Sequence, residues 1–111
     1  MNVQDLKRNA RDACGLLSAL SNERRLMILC QLVDGEKSVG ELQPSIGLSQ
    51  SALSQHLARL RRDGLVRTRR RSQTIFYSLA SVEAGRIIEA LYELYCRPPT
   101  EAALPDFARP D

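Results

Sequence analysis

Residues 49–79 constrain the fold more than any other stretch, because they run without a break through a helix cap, an apolar stripe, a helix stop and two strands. Ser49 is a favoured N-cap, whose side chain accepts from backbone N–H groups that a first helical turn leaves unpaired. Leu53, Leu57 and Leu60 follow at i, i+4 and i+7, which is one helical face, while Gln50, Ser51, Ser54, Gln55 and Arg59 point elsewhere. Gly64 after Asp63 terminates that helix. Residues 65–71 then read as a strand, Ser72-Gln73 as a tight turn, and residues 74–79 as a second strand in which Ile75, Tyr77 and Leu79 alternate with Thr74, Phe76 and Ser78.

The flanking sequence is helical. Val3, Leu6, Ala10, Ala13, Leu17 and Leu20 keep the three- and four-residue spacing of a first amphipathic helix. Asn22 caps a second helix, apolar around much of its circumference, that crosses the centre of the domain until Asp34-Gly35. Ser38-Val39-Gly40-Glu41 has the form of a capping box opening a short third helix that ends near Ile46-Gly47. Pro44 conflicts with a regular helix there, so this helix is expected to be bent or to begin late. Ser81 caps a last helix in which Ala84, Ile87, Ile88, Leu91, Leu94 and Tyr95 share a face, and Pro98-Pro99 end it just past Cys96. The expected class is mainly α with a small β-hairpin, as one domain over residues 1–96 and an irregular tail over residues 97–111.

Charge is distributed unevenly. Residues 59–71 hold seven arginines against one aspartate, so this window carries the whole positive excess and the rest of the chain is net negative, although the total is only +3. Solvated charged faces usually mix signs; a one-sign arginine cluster on an otherwise acidic chain points to a polyanion. Nucleic acid is the partner class that fits. No basic segment leads into an apolar one at the N-terminus, and the longest apolar run is residues 26–30, so neither a signal peptide nor a membrane span is expected and the chain reads as cytosolic.

Two short helices joined by Gly47-Leu48-Ser49 and followed by a basic hairpin make a winged helix-turn-helix, in which the second helix enters the major groove of double-stranded DNA. Gln50 and Gln55 offer a donor and an acceptor to an adenine edge, Ser51 and Ser54 can bond to bases or phosphates, and Arg59 reaches the backbone. Arg69, Arg70 and Arg71 place the wing tip against phosphates or in a narrow minor groove. His56 lies in the same helix and bonds to backbone or phosphate rather than to metal.

These residues carry a resemblance. Residues 20–26 (Leu-Ser-Asn-Glu-Arg-Arg-Leu), 38–42 (Ser-Val-Gly-Glu-Leu) and above all 48–57 (Leu-Ser-Gln-Ser-Ala-Leu-Ser-Gln-His-Leu), with Leu60 and Gly64-Leu65-Val66, resemble the ArsR family of bacterial repressors over most of residues 16–96. The resemblance implies a homodimer formed through the first and last helices, an inverted-repeat operator and an effector that releases the protein from DNA. The apolar stripes of the two terminal helices agree with a two-fold dimer on a palindromic site.

Three cysteines in a chain without a secretion signal leave thiols that are buried, metal-binding or reactive. Family members that bind thiophilic metals carry cysteines at the start of the third helix, where this chain has Ser38, Val39 and Gly40, and the only histidine is His56. No metal and no cofactor are expected, and a metal-responsive repressor is the weaker reading. The surroundings of Cys30 and Cys96 are similar to the sulfur-sensing branch of the family. That resemblance implies redox-sensing thiols that reactive sulfur species, persulfides or polysulfides, join by a disulfide or polysulfide bridge, weakening DNA binding. Cys96 is expected to attack first and Cys30 to resolve, while Cys14 is a dimer-interface or core residue. A thiol-dependent enzyme would use the same cysteines, but Cys-x-x-Cys and a recognisable catalytic base are both missing.

Overall fold

In the computed structural model, which describes residues 1–96, five helices surround a small sheet in the order α1 (Val3–Leu20), α2 (Glu23–Val33), β1 (Lys37–Ser38), α3 (Val39–Ile46), α4 (Gln50–Arg62), β2 (Val66–Arg71), β3 (Thr74–Leu79) and α5 (Val82–Tyr95). Each helix starts where its cap dictates: the side chains of Asn2, Asn22, Ser38, Ser49 and Ser81 accept from backbone N–H groups two or three residues on. Ser38 and Glu41 complete both halves of the capping box.

The C-termini are equally local in origin. Gly47 closes α3 with φ 76°, and Gly64 follows α4 with φ 77°, a left-handed conformation that glycine adopts without a Cβ penalty. After α4 the Leu65 N–H donates to the Leu60 carbonyl at 2.9 Å and the Gly64 N–H to the Arg61 carbonyl at 3.1 Å. This paired closure satisfies two orphan carbonyls and turns the chain into β2 with Leu60 and Leu65 both in the core.

Of the two expected consequences of Pro44, a bent helix or a late start, the late start is overturned. The helix begins at Val39, directly after its cap, and Pro44 stands inside it. One lost backbone bond is outweighed by the capping box and by the burial of Leu42 at 0% and Ile46 at 4% exposure.

The expected hairpin gains a third strand. β2 and β3 pair antiparallel with Arg69 opposite Phe76, and β1 adds to the free edge of β3 with Ser38 opposite Phe76, giving the order β1-β3-β2. Ser72 takes φ 58° in the turn, an uncommon conformation for a residue with a side chain, and its carbonyl accepts from Arg70 Nε at 3.1 Å.

The core lies under α4. Ile28 and Leu29 of α2, Leu42 of α3, and Leu53, Leu57 and Leu60 of α4 are fully buried. α5 adds Ala84 and Ile88, and α1 adds only Ala19 and Leu20. Leu94 and Tyr95, at the far end of the apolar face expected for α5, are 70% and 83% exposed within the single chain. Cys14 is also exposed, so it is not a core residue. Among the described residues no helix is long and apolar enough to cross a membrane. The expected tail over residues 97–111 lies outside the described residues.

Candidate nucleic-acid interface and paired thiols

The leucine stripe of α4 decides what its other faces can do. Leu53, Leu57 and Leu60 are locked into the core, so Gln50, Ser51, Ser54 and Gln55 are exposed together along the front of the helix. These side chains carry donors and acceptors but no net charge, which suits contact with base edges in a groove.

His56 is half-buried. Burial, reinforced by the charges of Arg25, Arg24 and Arg59, holds its imidazole below the usual histidine range, so the ring is neutral at pH 7, with one nitrogen a donor and the other an acceptor. Arg59 turns toward the first helix: its Nε lies 3.5 Å from Asp63 Oδ2 and its Nη2 lies 3.5 Å from Ser18 Oγ, both at the long limit of a hydrogen bond.

The wing arginines differ among themselves. Arg67 Nε donates to Ser78 Oγ at 3.3 Å, Arg70 Nε holds the turn carbonyl, and Arg71 is exposed. Arg69 is paired with Glu36 and lies over the Phe76 ring, 5.3 Å from its centroid. The Arg69 guanidinium in turn holds the Glu36 carboxyl below the ordinary carboxylate range.

Sequence reasoning missed Arg24 and Arg25. Arg24 Nη1 donates to the Ile46 carbonyl at 2.6 Å, closing the end of α3 at the turn into α4. Arg25, only 7% exposed, donates from Nε to the Ala19 carbonyl at 2.8 Å and from Nη2 to the Ser18 carbonyl at 3.3 Å, closing the end of α1. Neither α1 nor α3 has a basic residue in its own last turn, so α2 supplies the cation that each helix C-terminus favours. A signal existed: two adjacent arginines in the first turn of a helix stand where its dipole disfavours them, which implies partners elsewhere.

Cys30 and Cys96 lie on two helices that are packed together. Cys30 is half-buried on α2 against the core, and Cys96 is exposed at the C-cap of α5, which packs on α2. Burial pushes the Cys30 thiol up, and the charge of Cys96 adds a smaller push in the same direction, so the two sulfurs lie within electrostatic range of one another. Among the described residues no three His, Cys, Asp or Glu side chains gather closely enough to hold a metal ion.

Residues 22–68 match the model of the bacterial regulatory protein, arsR family. The chain is 59% identical over 97 residues to the transcriptional activator HlyU of Vibrio cholerae, an alignment covering 87% of this chain and 90% of that protein. The crystal structure of the transcriptional repressor BigR from Xylella fastidiosa superposes with a TM-score of 0.83 at 45% identity, covering 86% of this chain and 98% of that one. The homodimeric winged helix-turn-helix DNA-binding domain of Mb0332 from Mycobacterium bovis, a possible ArsR-family regulator, superposes with a TM-score of 0.70 at 28% identity, covering 81% of this chain and 84% of that domain.

Proposed function

Because the chain belongs to the arsR family of bacterial regulatory proteins and is a transcriptional regulator rather than an enzyme, we propose that it is a homodimeric repressor that leaves its operator when reactive sulfur bridges Cys30 to Cys96. The observation that carries this reading is that α5, which ends at Cys96, packs on α2, which carries Cys30. Relatives are named both activator and repressor; repression is the direction we assign.

α4 presents Gln50, Ser51, Ser54 and Gln55 to the major groove with the half-buried His56 beside them, the wing residues Arg69, Arg70 and Arg71 grip the backbone, and Arg59 joins them by exchanging its long contacts to Asp63 and Ser18 for a phosphate. A second copy covers the exposed apolar side chains Val3, Leu6 and Leu17 of α1 and Leu94 and Tyr95 of α5. Two-fold symmetry then sets the two α4 helices about 34 Å apart, one duplex turn, which matches an inverted repeat.

The chemistry balances without an added cofactor. The Cys96 thiolate attacks the terminal sulfur of a polysulfide, that S–S bond breaks, and the shortened polysulfide leaves with the electron pair. Cys96 is now a persulfide. The Cys30 thiolate attacks its inner sulfur, forming the Cys30–Cys96 disulfide and expelling hydrosulfide, so two thiols are oxidised and one zero-valent sulfur is reduced.

The bridge ties α2 to α5, and α2 is the helix whose Arg24 holds the α3–α4 turn and whose Arg25 holds the end of α1. A shift of α2 therefore reaches the groove-reading helix and a dimer helix together. A coupling of about 1–3 kcal/mol, roughly five- to 150-fold in affinity, is typical of such linkage.

The test pairs intact-mass spectrometry with operator titration before and after a polysulfide donor. The expected result is loss of the mass of two hydrogen atoms on bridging, with weakened DNA binding, while Cys96→Ser binds DNA normally and does not respond. Unchanged affinity despite the crosslink, or a normal response from Cys96→Ser, overturns the reading.

A further inference from the structure

Among the wing arginines of the described residues, Arg69 alone stands in an ion pair. Its Nε donates to Glu36 Oε2 at 3.2 Å and its Nη2 donates to Glu36 Oε1. The strand order makes this contact possible across a separation of 33 residues, because β1 and β2 flank β3 and Phe76 pairs with Ser38 on one side and Arg69 on the other. Glu36, just before β1, thus meets Arg69 from across β3, and the Arg69 guanidinium lies over the Phe76 ring.

Strand alternation puts Arg67, Arg69 and Arg71 on one face of β2, and the Glu36 carboxylate pairs with the middle one of the three. A carboxylate that accepts from two guanidinium nitrogens occupies the fork that a phosphodiester would use. Both partners remain substantially open to solvent, with side chains 53% and 34% exposed, and such pairs add little to fold stability. Stability therefore does not account for the placement of a carboxylate here.

We propose that Glu36 competes with DNA phosphate for Arg69 and lowers the grip of the wing on duplex that lacks the operator sequence. The inference rests on the reading above that the wing lies against DNA. With Glu36 in place, Arg69 already carries a tethered counter-ion, so meeting a phosphate frees no net ion from the DNA atmosphere. With the carboxylate gone, Arg69 becomes one further phosphate contact. Operator binding, which also draws on base contacts by α4, is penalised proportionately less than non-specific binding.

The experiment titrates the full chain against a duplex of unrelated sequence over a range of salt, comparing wild type with Glu36→Gln, Arg69→Gln, the double variant and Arg71→Gln. Glu36→Gln is expected to bind more tightly and to steepen the dependence of log K on log salt by about 0.9, so that its advantage shrinks about eightfold for each tenfold rise in salt. In the Arg69→Gln background the same substitution should leave the slope unchanged, because the effect runs through Arg69. Glu36→Gln with an unaltered slope, or with weaker binding, while Arg71→Gln still reduces the slope, overturns the competition. A steeper slope that persists without Arg69 also overturns it, since the carboxylate would then act as a general charge. If Arg71→Gln changes neither affinity nor slope, the reading of the wing as a DNA contact falls and this proposal with it.

Discussion

α4 buries three leucines completely within 13 residues, whereas α1 buries only Ala19 and Leu20 within 18. The same contrast holds between the groups they belong to. α2, α3, α4 and the sheet share one core, with α2 donating to the open ends of its neighbours, while α1 and α5 leave Val3, Leu6, Leu17, Tyr92, Leu94 and Tyr95 exposed. A cleft of about 970 Å³ separates α1 from the start of α5, and a side chain added at Gly15 would meet nothing within 4 Å. The segment from α2 to β3 thus builds most of its core inside one chain, whereas the terminal helices leave apolar side chains open to the second copy proposed above. A helix of this length is marginal in water unless its apolar face is covered.

Substitutions can break that contrast or sharpen it. Leu57→Ala should remove about 2–5 kcal/mol of stability, by lost burial plus the cavity left at a position with 0% exposure. Urea unfolding measures this, and the loss should be the same at high and low protein concentration. A small loss would mean that the core is not the stabilising centre of the chain.

Arg24→Ala should lower operator affinity by about 1.5–3 kcal/mol at most, the range for hydrogen bonds to charged groups, because the α3–α4 turn loses its closure at the Ile46 carbonyl. The salt dependence of binding should stay at the wild-type slope, since Arg24 is placed to position α4 rather than to touch phosphate. A reduced slope would instead make Arg24 a backbone contact.

Leu94→Ser should weaken self-association about tenfold, or about 1.4 kcal/mol, while leaving the helical content of the chain intact. Sedimentation equilibrium reads the first quantity and circular dichroism the second. Unchanged association would remove α5 from the dimer face and erase the contrast between the two halves.

The smallest effect concerns Cys30. Burial favours its protonated form, so the folded-state pKa lies above that of the unfolded chain. The corresponding stability is fully present below the ordinary thiol value and is lost as pH rises through the raised folded value. Iodoacetamide labelling of Cys30 in the reduced chain should accordingly reach half its maximal rate at a higher pH than labelling of a free cysteine derivative, followed by peptide mass spectrometry. A midpoint at or below that of the free thiol would contradict the burial.

Most helix ends were legible residue by residue. Asn22, Ser38, Ser49 and Ser81 mark starts and Gly47 and Gly64 mark ends because caps act through bonds to backbone groups only two to five residues away. β1 was not legible. It is two residues long and becomes a strand only because β3 lies beside it. Pro44 misled as to where α3 begins for the opposite reason, since the local conflict is real but the burial of Leu42 and Ile46 overrides it there. The arginine cluster was legible as charge, yet the pairing of Arg69 with Glu36 and the inward turn of Arg59 toward Ser18 were not.

The order of the helices and of β2 and β3, most of their ends and the polar front of α4 follow from the chain alone, because caps, stripes and stops act over a single turn or strand repeat. Which arginines hold helix ends, which is already matched by a carboxylate, and that the helix carrying Cys30 packs on the helix ending at Cys96 were decided by the packed structure. The physical reason is range: a backbone cap is settled by its sequence neighbours, whereas the state of a charge or a thiol is settled by whatever tertiary folding brings within a few ångströms of it.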